Sequence, residues 1–315
     1  MANFKCSHVC SCWRRGWCAS AFQSLLSNHA LKSLLRTLAP TLCLAGVMVY
    51  ALADKLRDFV AGVFIPQYHF PYAPALCFAQ VLLSLFVLNL LHVLDVVPLK
   101  RYSRSLGEKV LVPSICMGIH AVLAMWAKAN CSSISLFSLT QPLLPVATAA
   151  FSLCQKLASP PSLVVSVPIS ILGGTSLVVT ACRGLSGVEP LEYMYAPLAL
   201  ILHSLSLTWL AKVSEAERRN SPGAQASVFD IYYVQLVNQS WLLGLLWLLH
   251  PDSPRQVLGH SSWRSLLFHG YLLAILLLGA ALNFVVAAAA LSASPLAAAL
   301  LHSARPLVQP FLQLS

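Results

Sequence analysis

Apolar residues run along this chain in long blocks separated by short polar gaps. A helix that crosses a bilayer needs about 20 consecutive, mostly apolar residues. Nine blocks approach or exceed that length, at about 38–64, 72–97, 110–127, 134–155, 162–182, 192–212, 228–249, 264–291 and 295–314. The pattern therefore predicts an all-α polytopic membrane protein with nine spans and short loops. Pro142 and Pro145 in the fourth span, and Pro306 and Pro310 in the ninth, mark kink sites, because proline removes a backbone donor from the helical ladder.

Composition strengthens this picture. Of 315 residues, 58% are hydrophobic and 10% charged, against about 45–50% and about 25% in soluble domains. An ordinary soluble enzyme, a disordered chain and a disulfide scaffold are excluded. The net charge of +10 comes from 20 Lys and Arg against 10 Asp and Glu. All of these cations but Lys55, Arg57 and Arg305 sit in the gaps between blocks, with no interleaved aromatic platform, so nucleic acid is not an expected partner. One set of alternate gaps holds thirteen cations, among them Arg14, Arg36, Lys100, Arg101, Lys109, Lys212 and Arg218; the other set holds Lys128, Arg183, Arg255 and Arg264. The positive-inside rule then places the N-terminus in the cytoplasm.

Three segments follow: a basic, cysteine-containing cytoplasmic head (1–37), a first half of five spans (38–182), and a second half of spans six to nine (183–315). An odd number of spans per half inverts the second half relative to the first, the layout of inverted-repeat carriers with a midplane substrate site. Head cysteines Cys6, Cys10, Cys12 and Cys18 form no CxxC pair of a zinc site. They are either inert or targets of reversible acylation. No metal-ligand spacing, nucleophile–base pair or Gly-rich phosphate loop is visible, so neither a metal, a cofactor nor an enzyme is expected.

Polar residues inside spans are costly and mark candidate pathways. Span one carries Asp54, Lys55, Arg57 and Asp58, which either neutralise one another or form a mouth. Span seven places Gln235, Asn238 and Gln239 on one helical face, as helix glue or as a ligand-binding stripe. Span eight has Asn283 after the small residues Gly279, Ala280 and Ala281, and span nine has His302, Ser303 and Arg305. The Arg305 fork suits a bidentate phosphate contact; pairing with Asp54 or Asp58 is the alternative. His92, His120 and His203 each stand alone in their spans and are expected to pack at helix interfaces.

Several of these stretches resemble the nucleotide-sugar transporters of the drug/metabolite transporter superfamily, nearest to the UDP-sugar branch. Gly279-Ala280-Ala281-Leu282-Asn283-Phe284 is similar to the family's G-A-L-N segment, and Ser292 to Leu296 to its start of span nine. Tyr233 through Gln239 resembles the Tyr-Asn-Asn segment of span seven, and Phe70-Pro71 with Gln80 and the hairpin Val93–Pro98 resembles the span-two region. The resemblance implies a ten-span inverted-repeat bundle, of which this chain, C-terminally truncated, carries nine. It implies a Golgi or ER antiporter that exchanges a nucleotide sugar for a nucleoside monophosphate by alternating access. In that role Arg305 meets phosphate, Asn283 and Gly279 receive the base, Asn238, Gln239 and Tyr233 read sugar or ribose, and Lys55 adds charge at the mouth. The expected partners are the nucleotide sugar, the monophosphate and the lipid bilayer, with a homodimer left open. Carriage of another small organic anion, and a non-transporting relative with an interaction role, are the alternatives.

Overall fold

A computed structural model of the chain describes residues 29–68, 72–130, 136–157, 163–182, 191–220, 226–250 and 254–312. The four head cysteines and the junction between the expected halves, 183–190, lie outside the described residues. The helices are α1 (His29–Tyr68), α2 (Ala73–Val93), α3 (Arg104–Asn130), α4 (Leu136–Thr140), α5 (Leu144–Cys154), α6 (Leu163–Cys182), α7 (Glu192–Asn220), α8 (Val228–Leu249), α9 (Pro254–Leu258), α10 (Leu266–Ser292) and α11 (Pro295–Leu312). No strand occurs among the described residues.

Each apolar block is helical, with two informative departures. The fourth is broken into α4 and α5 by a 3-10 turn over Gln141–Leu143, at Pro142 and just before Pro145. Helix α1 begins at His29, ahead of its apolar block, because Ala30, Leu31, Lys32, Leu34 and Leu35 are strong helix formers whatever their polarity.

By length and composition α2, α10, Arg104–Ala127 of α3 and Glu192–Arg219 of α7 can cross a membrane. The stretches Gln141–Cys154, Val164–Val179 and Pro295–Ala304 are apolar but shorter. Helix α8 has the length, but Gln235, Asn238 and Gln239 dilute its hydropathy.

Polarity is distributed inside-out. Leu266, Val164 and Leu249 are 89%, 82% and 81% exposed, with Met194 and Phe86 also on the outside. Gln80, Gln235, Gln239, His203, Thr148 and Ser204 are buried. Water would penalise such an apolar surface, whereas hydrocarbon accepts it and drives polar groups inward. The chain has the build of an all-α, multi-pass membrane protein.

Residues 50–315 gather into one compact unit, and residues 1–49 into another. Within the larger unit, α3 packs on α7 and α8, and α2 on α8 and α10. Helix α11 packs on α10, α5 and α6.

Helix ends are closed by side chains from neighbouring helices. Ser227 and Asp230 form a capping box at the start of α8, and Asp230 also accepts the Lys100 backbone N–H at 2.8 Å. Glu192, buried at the first turn of α7, accepts the Leu136 N–H that opens α4. Its carboxylate thus sits at two helix N-termini, where the dipole favours negative charge. Arg218 of α7 donates to the Leu291 carbonyl near the end of α10, the complementary arrangement at a C-terminus.

Candidate functional site

Two polar regions lie inside the apolar bundle. The first is a seam along α2, α8 and α10. On α8 the stripe Tyr232, Gln235, Gln239 and Leu243 is buried, its members three or four residues apart and so on one face. Tyr232 and Leu243 share a core cluster with Leu76, Val81 and Leu88 of α2 and Ile275 of α10. The amides of Gln235 and Gln239 belong to that same stripe, and the Gln235 Oε1 is buried with no hydrogen-bond partner. From α2, the Gln80 side chain lies directly against Gly279 of α10, where an added Cβ would collide with its amide. Ser84, one turn on, donates to the Gln80 carbonyl at 2.9 Å. Two stretches that carry the family resemblance, around Gln80 and around Gly279, are therefore in contact.

The other expected site residues are placed differently. Asn238 faces α3: its Nδ2 donates to the Gly107 carbonyl at 2.9 Å and its Oδ1 accepts from the Tyr102 hydroxyl at 3.1 Å. Both ends of that amide are engaged, one by α3 and the other by the loop that precedes it. Tyr233 is partly buried and packs against two core clusters. Asn283 is half-buried beside Phe284, whose ring meets Tyr232 at 5.3 Å and Phe229 at 5.6 Å. Lys55 is exposed, and Asp54 and Asp58 are half-buried and each have partners. The Arg305 side chain lies outside the described ones. Gln239 and Gly279 thus fall on the seam, whereas Asn238 and Lys55 do not.

The second polar region is a node of three histidines. His120 of α3, His203 of α7 and His302 of α11 come together, and one ring nitrogen from each lies within 4.8 Å of the others. The His120 and His203 rings are 4.1 Å apart, and His203 and His302 meet edge-on at 4.6 Å. His120 and His203 are buried and His302 is half-buried. The outer nitrogens are held: His120 Nδ1 lies 3.0 Å from the Ala199 carbonyl, and His302 Nδ1 lies 3.2 Å from the Tyr50 hydroxyl. His203 Nε2 is buried without a hydrogen-bond partner.

His120 and His203, each alone in its span, do pack at helix interfaces, and there they stack on each other and meet His302. Span-by-span inspection misses this because the three come from helices far apart in sequence. A usable signal existed for two of the three: His120 and His203 each sit as a lone histidine well inside an apolar block, whereas His302 shares its block with Arg305. His92, by contrast, organises a turn, its Nδ1 accepting from the Leu99 N–H at 3.2 Å.

A cavity of about 320 Å³ lies where the loop after α2 meets the end of α7, lined by Lys100, Arg101, Lys109, Glu217 and Asp230 among others. Lys109 and Glu217 pair across it at 2.7 Å. Its three cations, Lys100, Arg101 and Lys109, come from one stretch of chain, and no expected substrate residue lines the cavity. In comparison with known proteins, no family model and no curated protein matches the chain.

Proposed function

We propose that the chain is a carrier of the drug/metabolite transporter type, an endomembrane antiporter exchanging a nucleotide sugar for a nucleoside monophosphate. The observation that carries this reading is the seam: buried amides and hydroxyls contributed by α2 from the first half and by α8 from the second, with the small surface of Gly279 on α10 against them. Unspent hydrogen-bonding capacity inside hydrocarbon is costly and marks solute pathways. The packing also suits two inverted halves. Contact of spans two and seven (α2 with α8) maps onto itself when the halves are exchanged, as does that of spans four and nine (α5 with α11). Contact of spans three and seven (α3 with α8) maps onto that of eight and two (α10 with α2), which also pack.

In this mechanism Gln239, Gln235 and Gln80 bond sugar or ribose hydroxyls, and the small surface at Gly279 lets a planar base approach α10. Arg305 balances the diphosphate. Rocking of the halves, helped by the break between α4 and α5, exposes the seam to each side in turn. The test is uptake of radiolabelled UDP-sugars by proteoliposomes preloaded with UMP. Saturable uptake that requires internal UMP, and its loss in Arg305→Ala at unchanged expression, are expected. A carrier of a different organic anion takes up solute without competition from UMP, and a non-transporting protein takes up none; either result refutes the nucleotide-sugar assignment.

A further inference from the structure

We propose that His120, His203 and His302 form a binding site for a divalent transition-metal ion of the zinc class. Imidazole nitrogen is a preferred ligand for such ions, and three-histidine zinc sites keep a fourth position open. The tautomers are set for it. A carbonyl only accepts, so His120 Nδ1 carries the proton it gives to Ala199, which leaves a lone pair on Nε2. The Tyr50 hydroxyl can accept from His302 Nδ1 in the same way. Ligating histidines almost always donate their second N–H to such an outer partner, which fixes the ring and raises its basicity. The unpartnered, buried Nε2 of His203 supplies a third nitrogen whose desolvation nothing else in the described structure offsets.

The geometry needs only a small closure. Tetrahedral zinc with nitrogens at about 2.0–2.1 Å sets them about 3.3–3.4 Å apart, and the three nitrogens here already lie within 4.8 Å of one another. Acidic residues lie close by on α1: Asp54 and Asp58 follow Tyr50 by four and eight residues, on the same helical face. Lys55 and Arg57 on that helix are the nearby cations in sequence. The site joins α3, α7 and α11 and is separate from the amide seam, so it does not rest on the transport reading.

The full chain, purified in detergent, stripped with chelator and alkylated at accessible thiols to remove cysteine as a competitor, is titrated with Zn²⁺. One equivalent per chain, counted by elemental analysis after gel filtration, is expected, together with a raised unfolding temperature. His203→Ala should weaken binding by about a hundredfold, and Tyr50→Phe by about tenfold, the size of an outer-partner loss. Failure of the wild-type chain to retain zinc, or unchanged affinity in His203→Ala, overturns the site. Should His203→Ala not fold, Co²⁺ bound to the wild-type chain decides the matter: intense visible bands of tetrahedral nitrogen ligation support the site, and the weak spectrum of a hydrated octahedral ion overturns it.

Discussion

The histidine node and the amide seam are both polar, both buried and both built from helices far apart in sequence, yet they handle hydrogen bonding in opposite ways. At the node, backbone and tyrosine groups hold the outer nitrogens of His120 and His302, and inward-facing capacity gathers in one compact place. Along the seam the polar atoms are spread over several turns of α2 and α8 and the Gln235 Oε1 has no partner, whereas both ends of the Asn238 amide, on the neighbouring face of α8, are engaged. A small rigid ligand with a fixed coordination geometry suits the first. An elongated molecule with many hydroxyls suits the second. Side-chain type alone does not separate a binding group from helix glue; the number of satisfied atoms does.

Substitutions that act on one region and spare the other test this contrast. The largest effect is expected at Gly279. Gly279→Leu pushes a branched side chain into the Gln80 amide, and overpacking of this kind costs about 1–3 kcal/mol. The apparent melting temperature in detergent should fall by several degrees and uptake should vanish, with zinc retention unchanged. Gln235→Met removes a buried oxygen that has no partner, and relief of that desolvation is worth about 1–3 kcal/mol. This variant should melt higher than the wild type while carrying solute more slowly; a lower melting temperature would mean that Gln235 is glue. His203→Met should likewise stabilise the metal-free chain by about 1 kcal/mol but abolish stabilisation by zinc, which Gln235→Met should leave intact. Asn238→Leu loses one hydrogen bond to α3 and one to Tyr102 of the loop before it; interhelical bonds of this kind are worth about 0.6 kcal/mol on average in membrane bundles. It should lower the melting temperature slightly and leave substrate KM unchanged, since the amide is already spent on α3. The smallest change is expected from Glu217→Gln, which breaks a half-exposed pair with Lys109; such pairs contribute about 0–1 kcal/mol. Its effect should vanish at high salt.

Much of the fold was legible because hydrocarbon imposes a simple rule. Apolar blocks of sufficient length become helices, and the break between α4 and α5 falls where Pro142 and Pro145 predict it. Residues of α8 were legible as a stripe, but periodicity could not divide it: Gln239 faces the core, whereas Asn238, one position away, turns to α3. Tertiary neighbours decide that, and they are not encoded in spacing. The histidine node was hidden for the same reason, since three isolated residues in three blocks become a cluster only once α3, α7 and α11 are packed. Gln80 illustrates the reverse case. It was noted only as part of a resemblance, and its importance lies in the glycine it touches on α10.

The node also constrains how this protein is made. His120 leaves the ribosome 79 residues before Ala199, whose carbonyl receives its proton, and Tyr50 precedes His302 by 252 residues. During synthesis α3 must therefore partition into lipid with its polar ring unattended until α7 arrives. A lysine or aspartate at 120 would resist that step by about 2.5–3.5 kcal/mol at a span centre. Imidazole can wait in neutral form, which makes histidine a side chain able to enter the bilayer early and find its partners late.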